Sequence, residues 1–148
     1  MVMTAETWIV VADGAGARIF EERRRLGPLS ERTDLVMAGD GEPHAPSDQD
    51  AAGAKRAGAA RHASATVEWA AKAERRFITR LAASLDAAVQ AKSFRNLVLI
   101  ARPEGLGRLR DALGPAAARC LEACDPHERR TEDASALRAR LHDLRTLD

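Results

Sequence analysis

The chain has 148 residues, 45% of them hydrophobic, with 23 basic and 22 acidic side chains and a net charge of +1. That length fits one domain able to bury roughly 68–70% of its unfolded surface. An apolar run such as Trp8–Ala12 is far short of the ~18 residues of a membrane span, and it has neither the basic flank nor the length of a signal peptide, so the expected compartment is the cytoplasm.

The charge is unevenly spread. Residues 1–50 hold 5 basic and 10 acidic side chains, residues 51–102 hold 10 and 3, and residues 103–148 hold 8 and 9. A middle third at +7 creates a local basic field that favours an anionic partner.

Trp8-Ile9-Val10-Val11-Ala12 reads as a strand buried on both faces, because continuous apolar runs of this length suit a sheet covered on both sides. Asp13-Gly14-Ala15-Gly16 turns the chain, and Arg18-Ile19-Phe20-Glu21 resumes it as a second strand. The Gly14-x-Gly16 pair lacks the third glycine and the following helix that a dinucleotide site needs, so it serves the hairpin. Gly27-Pro28 breaks the chain again, and Leu29–Ala38 makes a third strand in an antiparallel meander.

From Gly39 to Thr66 there is not one Leu, Ile, Val, Met, Phe or Trp. Ordering a backbone costs ~1–2 kcal/mol per residue, and only burial or a partner offsets it. The segment 39–65 is therefore expected to be a long mobile loop with a functional part to play. Thr66–Lys92 then has neither Gly nor Pro and is rich in Ala, Glu, Arg and Leu, the composition of a long helix. At 100° per residue Val67, Ala70, Phe77, Ile78, Leu81, Leu85, Ala88 and Val89 form one apolar stripe for covering the sheet.

Leu97–Ala101 is a second doubly buried strand, Pro103 opens a short helix to Leu113, and Gly114-Pro115 stops it. Ala118–Cys124 reads as a weaker strand and Asp133–Leu144 as a last helix with Leu137, Leu141 and Leu144 inward. Cys120 and Cys124 are expected to be reduced, small apolar residues; with His127 alone beside them they make a poor zinc site. The order β-β-β-α-β-α-β-α predicts a single domain with a mixed five-stranded sheet of order 3-2-1-4-5 and helices packed on it. This is a ribonuclease H-like, translational-machinery-component type of α/β fold.

Three stretches carry a resemblance. Trp8–Glu21 and Leu97–Arg110, with Gly58-x-x-Arg61-His62-Ala63 between them, resemble the bacterial host-attachment protein family. That family is in turn similar to the middle domain of archaeal and eukaryotic class-I translation release factors and of Pelota. The resemblance implies contact with RNA or the ribosome. In release factors the loop before the long helix ends in Gly-Gly-Gln and promotes peptidyl-tRNA hydrolysis. Here Gln49 stands between Asp48 and Asp50, and no Gly-Gly-Gln occurs. No catalytic residue, metal or cofactor is therefore expected.

Two constellations remain. Lys55, Arg56, Arg61 and His62 precede the helix, whose face opposite the apolar stripe carries Trp69, Lys72, Arg75, Arg76 and Arg80. A tryptophan among cations can stack on an unpaired base while the cations meet phosphates, the pattern of single-stranded RNA binding; there is no DNA-specific motif. The bland alternative is a solvated face with Trp69 packed under its own loop. Second, Asp13 and Glu74 are two of the carboxylates that a two-metal nuclease on this fold would use. The fourth strand, however, ends in Ala101-Arg102, with Glu104 a turn further on. Asp13 is better read as the cap of the hairpin turn and Glu74 as the partner of an arginine. Arg102, ahead of the helix that starts at Pro103, is a weak anion site. A protein-interaction role behind attachment to host cells stays open, as does a hydrolase.

Overall fold

The computed structural model describes residues 5–39 and 59–146, the side chains of 59–66 excepted. Within these residues a mixed sheet of six strands is covered by helices. The strands are β1 (Ala5–Asp13), β2 (Gly16–Glu22), β3 (Leu29–Glu31), β4 (Met37–Ala38), β5 (Phe94–Ile100) and β6 (Leu121–Asp125). The helices are α1 (Ala59–Gln90), α2 (Pro103–Ala112), α3 (Pro115–Cys120) and α4 (Ala134–Thr146). The order is β3-β2-β1-β5-β6, with β4 also paired to β2. β1 is central, antiparallel to β2 (Val10 opposite Ile19) and parallel to β5 (Val10 opposite Leu99). We call the end where β1 finishes, at Asp13, the upper end.

Both central strands alternate between two apolar layers, which is why their sequences are apolar throughout. Trp8, Val10, Leu97 and Leu99 meet Phe77, Ile78, Leu81 and Leu85 of α1 and Leu106 and Leu109 of α2. Ile9, Val11, Val98 and Ile100 meet Phe20, Leu29 and Leu137 and Leu141 of α4.

Four expectations are corrected. The five-stranded order 3-2-1-4-5 gives way to the six-stranded order above, because Leu29–Ala38 is two short strands. A 3-10 turn at Thr33–Leu35 separates them, and Arg32 there pairs with Asp34 at 2.6 Å. The loop expected over 39–65 ends early: α1 begins at Ala59, while residues 40–58 lie outside the described part. Val67 and Ala70, assigned to the apolar stripe, are exposed, and the first buried side chain among the described ones of α1 is Ala73. The strand expected at Ala118–Cys124 starts at Leu121. Gly114-Pro115 stops α2 as expected, and Pro115 also opens α3, since a missing N–H is no loss in a first turn. Its start is fixed by Gly114, whose N–H donates to Asp86 Oδ1 at 2.9 Å.

Ion pairs hold the layers at both ends. At the lower end Arg145 of α4 grips Glu22 through two bonds, Nη2–Oε1 at 2.6 Å and Nη1–Oε2 at 2.8 Å, and reaches Glu122 at 2.8 Å. Arg138 adds a third bond to Glu22 at 2.5 Å. At the upper end Arg18 donates to the carbonyls of Arg130 (2.5 Å) and Glu132 (3.0 Å), pinning the β6–α4 loop over β2.

Candidate functional site

The expected basic site divides into parts. Lys55 and Arg56 lie outside the described residues. Arg61 and His62 fall within the backbone of α1, their side chains outside what is described. Trp69, Lys72, Arg75, Arg76 and Arg80 are all exposed, on one 32-residue helix. Val67, Glu68, Trp69 and Ala70 are exposed in succession, which covers every side of a helix. Among the described side chains of α1 burial begins at Ala73, next to Glu74, which lines one cleft with Asp13 and Gly14 of the upper rim. The stretch Val67–Ala70 of α1 is therefore not covered by the sheet on any side.

Arg80 has a structural task. Its guanidinium donates to the Ala38 carbonyl of β4 and lies 5.6 Å from the centre of the Phe77 ring. It ties α1 to the last strand before the segment 40–58. Lys72, Arg75 and Arg76 lie on the exposed side with Trp69, one to two turns along the helix.

The acidic pair behaves differently from a metal site. Asp13 Oδ1 accepts from the N–H groups of Ala15 (2.7 Å) and Gly16 (2.9 Å), and Oδ2 meets Arg130 Nε at 2.8 Å. Its oxygens are thus taken by the hairpin and a cation, as the turn-cap reading expects. Glu74 is half-buried in a cleft between α1 and α2 lined by Ile78, Leu81, Ala101, Gly105 and Leu109. No arginine pairs with it among the described residues, which corrects the expected ion pair. Among the same residues no three His, Cys, Asp or Glu side chains group as a metal site would. Arg102 is exposed at the start of α2 and its side chain does not cap that helix. Asp13→Ala should lower stability by about 1–3 kcal/mol, because two N–H groups and the Arg130 cation lose their acceptor. A urea midpoint unchanged from the parent's would exclude this role for Asp13.

Both cysteines are free and half-buried against the core, Cys120 ending α3 and Cys124 within β6. Burial pushes the Cys124 thiol up, against the pull of Arg110, so it is a packing residue. Asp125, Arg129 and His127 were missed as a group by sequence reading. Asp125 is buried at the end of β6 and meets His127 Nδ1 at 2.5 Å and Arg129 Nε at 2.5 Å. Their closeness along the chain is the only signal for them, and it is shared by many loops.

Residues 8–141 match the family described as "Protein required for attachment to host cells". The chain belongs to this host-attachment family. The match runs from Trp8 in β1 to Leu141 in α4 and so takes in the sheet apart from the first three residues of β1, with α1 and the cleft. No curated protein matches the chain significantly. Among the described residues no helix is long and apolar enough to cross a membrane.

Proposed function

We propose that this member of the host-attachment family is a non-enzymatic RNA- or ribosome-binding factor of the cytoplasm, acting through the outer face of α1. The observation that carries the reading is the exposed Trp69 with exposed Lys72, Arg75 and Arg76 beside it on the outer side of α1. A tryptophan ring stacks on any unpaired base, and flanking cations neutralise phosphates. The reading is consistent with the likeness to the middle domain of class-I release factors and Pelota. It takes the mixed sheet as ribonuclease H-like, with Lys55, Arg56, Arg61 and His62 extending the basic path.

Charge and stacking leave different signatures. Affinity for single-stranded RNA should fall with salt at a log–log slope of roughly −0.7 per phosphate neutralised. Replacing Lys72, Arg75 and Arg76 by Ala should flatten that slope. Trp69→Ala should instead weaken binding by ~1–3 kcal/mol with the slope nearly unchanged. Filter binding of the intact chain across a salt series measures both, and co-sedimentation with ribosomes tests the larger partner. No binding by the parent to RNA or ribosomes sinks the reading.

A further inference from the structure

Among the described residues only two that are not glycine have positive φ, Leu26 at 67° and Lys92 at 59°. Both lie at the lower end of the sheet. Lys92 follows α1 at the position where left-handed residues commonly end helices, with the Ser93 N–H donating to the Ala88 carbonyl at 2.9 Å. Leu26 has no such excuse: a branched apolar residue in the left-handed region is an outlier, and its side chain is 72% exposed.

The surrounding structure imposes this conformation. The Leu26 N–H donates to Oε2 of the fully buried Glu22 at 3.1 Å, and the Gly27 N–H donates to the Arg24 carbonyl at 2.9 Å. Arg138, itself bound to Glu22, donates to the Gly27 carbonyl at 2.8 Å. A buried carboxylate and an arginine from α4 thus hold an apolar side chain out in water. Backbone strain that is held in place by its surroundings is a pointer to function.

The charge around Leu26 has one sign on balance. Arg23, Arg24 and Arg25 precede it in the turn, all exposed. The start of β5 is next in space, because the Glu6 N–H donates to the Arg23 carbonyl and the Ala5 N–H to the Ser93 carbonyl. That brings exposed Lys92 and Arg95 to the same end. The acids there are mostly engaged: Glu21 with Arg32 and Arg23, Glu22 with Arg138 and Arg145, Glu122 with Arg25 and Arg145. Two are not: Asp143, exposed beside Leu26 on α4, and half-buried Glu6, which accepts from Asn96 Nδ2 at 3.4 Å; the exposed cations Arg23, Arg24, Arg25, Lys92 and Arg95 outnumber them.

We propose that this end of the molecule docks on an anionic membrane surface, with Leu26 inserted between headgroups and Arg23, Arg24, Lys92 and Arg95 on lipid phosphates. A lone aliphatic side chain on a turn has no counterpart on a nucleic acid, which offers stacking faces and polar edges. A stable protein partner needs ~800 Å² from each side with an apolar centre, and here one leucine stands among cations. A bilayer interface accepts just that combination, an apolar side chain at the acyl boundary and basic residues at the headgroups. The surface lies at the opposite end of the sheet from the start of α1, so it does not depend on RNA binding.

Sedimentation of the full chain with vesicles of phosphatidylcholine, with and without phosphatidylserine, tests this. Binding is expected only with phosphatidylserine and should decline as salt is raised. Arg23→Ala with Arg24→Ala should lower the partition coefficient roughly 30-fold, and Leu26→Gly roughly tenfold. Leu26→Gly relieves the backbone, so its thermal midpoint should equal or exceed the parent's while binding falls; this separates docking from folding. No binding of the parent to phosphatidylserine vesicles overturns the proposal. Loss with the arginine variants but none with Leu26→Gly also overturns it, because the surface would then be a phosphate site without insertion.

Discussion

Arg145→Ala should destabilise the protein by about 3–5 kcal/mol, a large share of the ~5–15 kcal/mol that holds a domain of this kind together. The reason is what the substitution leaves behind. Glu22 is fully buried at the end of β2, and Arg145 is the cation that grips both its oxygens. Arg138, the Leu26 N–H and Thr7 would still donate to it, so the carboxylate would keep one of its two cations in a site closed to water. Burial alone pushes the Glu22 carboxyl up; hydrogen bonds from Arg145, Arg138 and Thr7 outweigh it and bring the group from the usual 4.5 down to about 2. A depressed carboxyl contributes stability above its unfolded value and loses it as pH falls toward its folded one. The parent should therefore lose about 3 kcal/mol from this group between pH 4.5 and pH 2. Glu22→Gln should remove that part of the acid limb, seen as a shallower fall in urea midpoint over the same window. A parallel fall in parent and variant would mean that Glu22 is not held ionised by the clasp.

This clasp shows where sequence reading stops. Glu21-Glu22 looks like a solvated strand end, and Arg145 lies 123 positions further on; only the sheet order brings β2, β1 and α4 together at one end. The same holds for Asp13 and Arg130, although the carboxylate half, a cap for the two N–H groups of the hairpin, could be read locally. β1 and β5 were legible because a strand sandwiched between two apolar layers leaves an unbroken apolar run. The lower part of α1 was legible because Phe77, Ile78, Leu81 and Leu85 keep helical spacing. Val67 and Ala70 follow the same spacing yet are exposed, since periodicity tells which side of a helix is apolar but not how far the sheet beneath it extends. The exposed side of α1, with Trp69, Lys72, Arg75 and Arg76, was legible from the helical wheel. The Arg80 bond to Ala38 was not, because its acceptor is a backbone carbonyl that no residue pattern marks. Leu26 was hidden for a similar reason: its signal is a backbone angle, and Gly27-Pro28 next to it accounts for a turn without it.

Two aromatic residues eight positions apart on α1 should respond in opposite ways to the same substitution. Phe77 is completely buried among Ile19, Leu97 and Leu109. Phe77→Ala should cost about 3–5 kcal/mol, the sum of lost transfer energy and the cavity that remains. It should also free the Arg80 guanidinium from the ring it covers and loosen the tie to β4. Trp69 lies before Ala73, the first buried position among the described side chains of the helix, and is 37% exposed. Its removal strips no core contact, so Trp69→Ala should shift stability by less than about 1 kcal/mol. Thermal unfolding of the two variants beside the parent decides the matter. If Trp69→Ala approaches Phe77→Ala in cost, the indole is packed under chain outside the described residues. It would then be unavailable to a base, and the outer face of α1 would be a solvated helix side.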